Sequence, residues 1–186
     1  MAARSRRRAV IGGLILAGGL SSRMGRDKAL LTIDGETLLA RSARVLRDAG
    51  AERVVVSGPR PGGIPDRYPR SGPLGGLASA APSLADGRWL IVPVDMPRLH
   101  PGLLRSLLVG GARATRFAGH PLPMMLCLDD AVRAMLDTLM RQDDPRRRSP
   151  SALQAALGAH ELPLDGLDTD ALVNCNTPDE WNEVTA

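Results

Sequence analysis

The stretch Leu16-Ala17-Gly18-Gly19-Leu20-Ser21-Ser22-Arg23-Met24-Gly25-Arg26-Asp27-Lys28 follows directly on an apolar run that begins at Val10. An apolar run that ends in a glycine turn is typical of a buried strand leading into a phosphate-binding loop. Glycines let backbone N–H groups approach phosphate oxygens closely. Lys28 is the only lysine of the chain, and all other basic side chains are arginine. Its compact ammonium, together with Arg23, predicts a nucleoside triphosphate site.

Two other kinds of phosphate loop do not fit this spacing. The pair Gly18-Gly19 is not followed by the G-x-G-x-x-G pattern of dinucleotide-binding proteins, and the sequence contains no G-x-x-x-x-G-K-[ST] run. A glycine turn with a solvated basic edge is the simpler alternative. The coincidence of turn, cations and preceding strand favours the triphosphate site.

Length and composition predict one globular domain, since the chain has 186 residues, of which 44% are hydrophobic and 24% charged. We expect residues 1–8 to form a basic flexible tail and residues 9–186 to form the domain. The tail arginines, which account for the net charge of +4, are Arg4, Arg6, Arg7 and Arg8. Because only 2% of residues are aromatic, few side chains can stack on bases, and no nucleic-acid partner is expected.

The cysteines and the first apolar run bear on the cellular compartment. Cys127 and Cys175 give neither a metal-binding spacing nor a disulfide framework, as is typical of a reducing compartment. Residues 5–16 imitate a twin-arginine signal, but no small-residue cleavage pattern follows, and cleavage there would destroy the triphosphate site. No stretch approaches the roughly 20 apolar residues of a membrane span. We therefore expect a cytoplasmic protein with no membrane partner.

Strand and helix patterns alternate along the chain, which predicts a three-layer α/β/α, Rossmann-like fold with a mostly parallel sheet. The predicted strands are 10–16, 53–57, 89–94 and 124–128. The predicted helices are 37–49, capped by Thr37, then 73–81, 101–109, 129–141 and 149–158. A turn at Asp34-Gly35, a long loop over 58–72 and a capping box over 177–180 complete the pattern.

An acidic residue ends the apolar strand 89–94, in the segment Pro93-Val94-Asp95-Met96-Pro97. Ligands of open α/β sheets gather at the carboxyl edge of the strands. Mg²⁺ prefers one or two carboxylates together with phosphate oxygens and water. Asp95 is therefore the predicted Mg²⁺ ligand and a predicted catalytic residue beside Lys28 and Arg23. A turn or helix N-cap aspartate is the alternative.

A second glycine-rich segment, Gly72-Pro73-Leu74-Gly75-Gly76-Leu77, opens a helix after the long loop that contains Asp66. Such a segment lets a flat nucleobase lie against the backbone. The Asp66 carboxylate can accept two hydrogen bonds, from N1–H and the 2-amino group of guanine, which adenine and cytosine cannot both provide. An ordinary turn aspartate is the alternative.

Taken together, these segments resemble the molybdenum cofactor guanylyltransferases nearly from end to end. The resemblance rests on the opening loop, the Asp66 and Gly72–Leu77 region, the Asp95 segment and three later segments: His120-Pro121, Arg146-Arg147-Arg148 and Val173-Asn174-Cys175-Asn176-Thr177-Pro178. It implies a nucleotidyltransferase fold and a Mg²⁺-dependent transfer of GMP from GTP to the terminal phosphate of molybdopterin, with release of pyrophosphate.

The resemblance also implies a binding set wider than the catalytic residues, with two asparagines lying near the pterin. This set comprises Leu16, Ala17, Gly18, Gly19, Lys28, Ser57, Asp66, Gly72, Gly75, Asp95, Asn174 and Asn176. Two features depart from the family pattern: Ser57 stands where the family often has asparagine, and the segment from Arg98 to Met125 is shortened. Transient contacts with proteins that make or receive the molybdenum cofactor are implied as well.

Two other functions fit the same residues. A cytidylyltransferase acting on molybdopterin or another phosphorylated acceptor would use a similar loop, although Asp27-Lys28 and residues 72–76 resemble the guanylyl branch more. A non-catalytic GTP-binding or cofactor-handover protein would keep the fold and lose acceptor recognition. The presence of both Lys28 and Asp95 favours an enzyme.

Overall fold

The computed structural model describes residues 10–18, 27–177 and 180–181. The strands in this part of the chain are β1 (Ile11–Leu16), β2 (Thr32–Ile33), β3 (Glu36–Thr37), β4 (Arg53–Ser57), β5 (Gly87–Pro93), β6 (Ala114–Phe117), β7 (His120–Leu128) and β8 (His160–Leu162). The α-helices are α1 (Leu38–Asp48), α2 (Gly72–Ala80), α3 (Pro101–Ser106), α4 (Asp130–Met140) and α5 (Pro150–Leu157). Short 3-10 helices cover Lys28–Leu30, Ala81–Ser83, Pro145–Arg147 and Thr169–Leu172.

The main sheet has six strands in the order β4-β1-β5-β7-β6-β8. Strand β1 pairs in parallel with both β4 and β5, and β6 pairs in parallel with β8. Strand β7 is antiparallel to β5 and β6, so it runs against the other strands of this sheet. The predicted mostly parallel sheet is confirmed.

Strand β1 lies between β4 and β5 in the sheet, and its side chains alternate between the core clusters on the two faces. Leu14 packs in a cluster with residues of α2, α4 and α5, whereas Ile15 packs with residues of α1 and α3. Both side chains are fully buried. Helices on both faces of the sheet confirm the predicted three layers.

Local signals within residues 34–50 place the turn, the helix cap and the end of α1 as expected. Asp34 and Gly35 have φ values of 53° and 78° and form the turn between β2 and β3. The Thr37 hydroxyl accepts the N–H of Ala40 at 3.1 Å and caps α1. After α1 ends, Gly50 has a φ of 109°, a conformation that glycine adopts without strain.

The structure corrects the predicted strands and helix ends in the second half of the chain. Strands β6 and β8 were not expected, because short segments such as Ala-Thr-Arg-Phe and His-Glu-Leu lack an apolar period and depend on pairing with neighbouring strands. Strand β7 begins at His120, four residues before the expected start, and α3 ends at Ser106, before the expected end at residue 109.

Among the described helices, none is both long enough and apolar enough to cross a lipid bilayer.

Candidate active site

The carboxyl ends of β1 and β5 open into a cleft with a volume of about 190 Å³. It is lined by Leu16, Ala17, Gly18, Asp27, Lys28, Ala29, Arg60, Gly72, Pro73, Pro93, Val94 and Asp95. The fold therefore brings together, at the expected edge of the sheet, six residues predicted from the sequence: Leu16, Ala17, Gly18, Lys28, Gly72 and Asp95.

Lys28 contacts predicted site residues from two distant parts of the chain. Its Nζ donates a hydrogen bond to Asn176 Oδ1 at 2.7 Å and lies 3.5 Å from Asp95 Oδ2. The side chains of Lys28 and Asp95 are only 16% and 19% exposed. The Cys175 N–H donates to the Asp95 carbonyl at 2.8 Å, which ties the C-terminal segment to the end of β5. Lys28 and Asn176, which are 148 positions apart in the sequence, thus meet in the folded chain.

Asp95 is a half-buried carboxylate that lines the cleft. Burial raises the pKa of Asp95, and the nearby Lys28 ammonium acts in the opposite direction. Its Oδ1 is buried and has no hydrogen-bond partner among the described residues. The described residues contain no cluster of three or more His, Cys, Asp or Glu side chains arranged for a metal ion. A single carboxylate is nevertheless sufficient for Mg²⁺ when phosphate oxygens and water complete the coordination.

The Asp66 carboxylate packs directly against Gly18. A Cβ atom at Gly18 would lie 2.6 Å from Asp66 Oδ2, so any larger residue at this position would displace the carboxylate. Asp66 Oδ1 is buried without a hydrogen-bond partner in the described part of the chain. Burial raises the pKa of Asp66. The structure therefore places Asp66 beside Gly18, and its contact with guanine stays a prediction.

Ser57 and Gly75, which are predicted to bind the nucleotide, make contacts within the fold, and their binding roles stay predictions. Ser57 is fully buried, and its hydroxyl donates to the Gly76 carbonyl at 2.9 Å, so this side chain faces α2 and does not line the cleft. The Ser57 carbonyl accepts the N–H of Ala17 at 2.9 Å. A Cβ atom at Gly75 would lie 2.7 Å from the Ser71 Cβ, so Gly75 serves the approach of the preceding loop.

The C-terminal asparagines occupy different environments. Asn174 is exposed, whereas Asn176 is partly buried against Lys28. The expected capping box is confirmed, because Thr177 Oγ1 accepts the Glu180 N–H at 3.2 Å and Glu180 Oε2 accepts the Thr177 N–H at 2.9 Å. Glu180 Oε2 also accepts the N–H of Asn176, which fixes the backbone beside the Lys28 partner.

Some predicted residues lie outside the described residues. They are Gly19 and Arg23 of the opening loop and the arginines of residues 1–8. The roles predicted for them stay predictions.

Arg60 is a cleft residue that the sequence reasoning missed. Its guanidinium forms two 2.6 Å hydrogen bonds with the Asp27 carboxylate and a third, of 3.2 Å, with the Ala17 carbonyl. These contacts hold the pKa of Asp27 below its usual value, chiefly through the hydrogen bonds from Arg60. The sequence feature that could have identified Arg60 is a basic residue in the long loop after β4, a strand that ends at the same edge of the sheet as β1.

Comparison with known proteins identifies the family of this chain. The profile of the MobA-like NTP transferase domain matches residues 13–156. A molybdenum cofactor guanylyltransferase of Xanthomonas euvesicatoria pv. vesicatoria (strain 85-10) is 47% identical over 176 residues, which span 92% of this chain and 93% of the relative.

Two solved structures have the same fold at low sequence identity. Molybdopterin-guanine dinucleotide biosynthesis protein A from Archaeoglobus fulgidus is 19% identical, with a TM-score of 0.71 over 94% of this chain and 96% of that one. A nucleotidyl transferase from Methanothermobacter thermautotroptrophicus is 15% identical, with a TM-score of 0.73 over 95% and 96%. Given the profile match and the 47% identity to the Xanthomonas relative, this chain belongs to the molybdenum cofactor guanylyltransferases, a family of MobA-like nucleotidyltransferases.

Proposed function

We propose that this protein transfers GMP from GTP to the terminal phosphate of molybdopterin, giving the guanine dinucleotide cofactor and pyrophosphate. The observation that carries the proposal is the position of the Lys28 ammonium, between the Asp95 carboxylate and the Asn176 amide. One point of the cleft thus joins the residues expected to contact triphosphate, metal and pterin. The 47% identical relative bears the name of the same activity.

The reaction is an in-line displacement at the α-phosphorus of GTP. A molybdopterin phosphate oxygen forms the new bond to this phosphorus while the bond to the bridging oxygen of the β-phosphate breaks, and pyrophosphate leaves with the electron pair. The attacking oxygen is already ionised, so no protein nucleophile is required. Lys28 and Arg23 neutralise charge on the phosphates, and the backbone N–H groups of Gly18 and Gly19 donate hydrogen bonds to the phosphate oxygens.

Mg²⁺ is the proposed cofactor, with Asp95 as its protein ligand. Asp95 Oδ1 is suited to this role, because it is buried without a hydrogen-bond partner among the described residues. When bound, Mg²⁺ neutralises charge on the phosphate oxygens. Lys28 Nζ holds Asp95 Oδ2 at 3.5 Å and so fixes the orientation of the carboxylate.

The guanine and pterin ends of the cleft are assigned by proposal. We assign guanine to Asp66, which lies against Gly18, and to Gly72 at the start of α2. The pterin is assigned to the side of Asn176 and the exposed Asn174. Transient contact with the proteins that make or receive the molybdenum cofactor belongs to the same proposal.

Pyrophosphate release tests the activity. Purified protein with molybdopterin and Mg²⁺ should release pyrophosphate from GTP and far less from CTP, and chelation of Mg²⁺ should stop the release. A preference for CTP would make the protein a cytidylyltransferase. GTP binding without pyrophosphate release would instead indicate a non-catalytic GTP-binding protein.

Asp95→Ala tests the site. Loss of the proposed metal ligand should lower kcat by about 100-fold or more, by analogy with the removal of a preorganised charge partner. Asp86→Ala is the matched control, because Asp86 is an exposed aspartate outside the cleft that pairs with Arg133 at 2.6 Å. An active Asp95→Ala protein would overturn the assignment, provided that both variants give the circular dichroism spectrum of the folded protein.

A further inference from the structure

Arg60 bridges two points of the chain that flank the predicted phosphate loop. Its Nη1 and Nη2 donate to the two Asp27 carboxylate oxygens, both at 2.6 Å, and Nη2 also donates to the Ala17 carbonyl at 3.2 Å. Ala17 follows β1, and Asp27 immediately precedes Lys28. Only 14% of the Arg60 side chain is exposed, so these charge-assisted bonds are partly shielded from solvent.

The segment that carries Arg60 is fixed at both ends. The Gly58 N–H donates to the Ile64 carbonyl, and the Ile64 N–H donates to the Val56 carbonyl, each at 2.8 Å. Gly58 has a φ of 136°, and a Cβ atom there would lie 2.9 Å from the Ala17 carbonyl carbon. The backbone of this turn therefore packs directly on the end of β1, which gives Arg60 a rigid base.

Asp27 couples the position of the Arg60 guanidinium to the backbone of the helix that begins at Lys28. Its Oδ1 accepts the N–H of Ala29 at 3.1 Å and caps the 3-10 helix that begins at Lys28. The same oxygen accepts a hydrogen bond from Arg60, so a shift of the guanidinium would move the cap. The Lys28 ammonium must still reach Asp95 and Asn176 from this short helix.

We infer that Arg60 is a positioning residue for nucleotide binding, which acts through Asp27 to hold Lys28 against β1 and Asp95. The inference rests on the proposed function, in which Lys28 contacts the triphosphate. It assigns Arg60 no contact with the phosphates. The alternative is that Arg60, which also lines the cleft, contacts the triphosphate itself.

The test is a double-mutant cycle of Arg60→Gln and Asp27→Asn, assayed by pyrophosphate release from GTP. Each single variant should raise the KM for GTP by about tenfold or more, because loss of a charge-assisted hydrogen bond from Lys28 to the triphosphate weakens binding by about that factor. The kcat/KM for GTP should fall by at least as much, because Lys28 also neutralises charge on the phosphates in the transition state. The double variant should be no worse than either single variant. Arg60→Lys should restore little, because lysine cannot make the bidentate bonds.

Arg44→Gln is the matched control, because Arg44 forms an equivalent bidentate pair with Glu36 outside the cleft, at 3.1 and 2.8 Å. It should leave the KM unchanged. A raised KM in Arg60→Gln with a normal KM in Asp27→Asn would overturn the inference in favour of direct phosphate contact. A lowered Tm with an unchanged KM would reduce Arg60 to a structural residue. Pyrophosphate release by the wild-type protein tests the proposed function separately. The double-mutant cycle is then measured with the nucleotide that the wild-type protein accepts.

Discussion

Asp95 combines a proposed catalytic role with a cost in stability. Burial raises the pKa of Asp95, with Lys28 acting in the opposite direction. A folded pKa above the unfolded one means that ionisation is harder in the folded chain. The contribution of Asp95 to folding therefore becomes less favourable as the pH rises from the unfolded pKa through the folded pKa. An ionised Asp95 is thus a charge that the fold disfavours.

Asp95→Asn should consequently stabilise the protein while it abolishes activity. We expect the free energy of unfolding at pH 7 to rise by up to about 1 kcal/mol, as at other destabilised functional positions. The gain should shrink as the pH falls through the raised pKa of Asp95, because the wild-type carboxyl is then neutral too. Urea denaturation at pH 7 and at acidic pH measures both effects, with the exposed Asp86→Asn as control. A loss of stability at pH 7 would mean that the attraction to Lys28 outweighs the cost of burial.

At the scale of elements, β1 and β5 are brought together by a glycine in β1. Gly12 is paired with Trp89 of β5, and a Cβ atom at Gly12 would lie 2.5 Å from the Trp89 ring. The indole cannot easily move, because it is 5% exposed and its N–H donates to the Ala85 carbonyl at 2.9 Å. The packing of β1 beside β5 therefore requires that position 12 carry no side chain, since the Trp89 ring occupies that space.

Gly12→Ala should therefore lower the free energy of unfolding by about 1–3 kcal/mol through overpacking. Activity below the unfolding range should be preserved, since the cleft lies at the other end of β1. Urea denaturation and pyrophosphate release measure the two effects. Gly111→Ala is the control, because a Cβ atom there would meet nothing within 4 Å. If both variants lose equal stability, the contact with Trp89 is not the cause.

The sequence predicts elements and residues well where local chemistry determines them. Strand β4 and the Thr37 cap follow from an apolar run and a hydroxyl before a helix, and Lys28 and Asp95 follow from their places after strands. Strands β6 and β8 depend on distant pairing. The directions of the Ser57 and Arg60 side chains depend on tertiary contacts with α2 and Asp27, which residue type does not specify.

At the scale of the whole molecule, the C-terminal segment belongs to the same core as the sheet. Ala171 and Leu172 are buried in the cluster that also contains Ile15 of β1, and Trp181 packs against this cluster. Trp89 belongs to the cluster on the opposite face of the sheet. The two tryptophans of the chain therefore report on the two halves of the core.

A single cooperative unit should unfold in one transition seen from both faces. In Trp181→Phe the fluorescence of Trp89 should change at the same urea concentration as the circular dichroism, and in Trp89→Phe the same should hold for Trp181. Each variant is its own control, so a loss of stability from the substitution does not affect the comparison. GTP with Mg²⁺ at 100 times its Kd should move both signals together by about 2.7 kcal/mol, because the proposed site draws on both β5 and the C-terminal segment. A Trp181 signal that changes before the circular dichroism would show that the C-terminal segment opens independently, and Asn176 would then leave Lys28 without global unfolding.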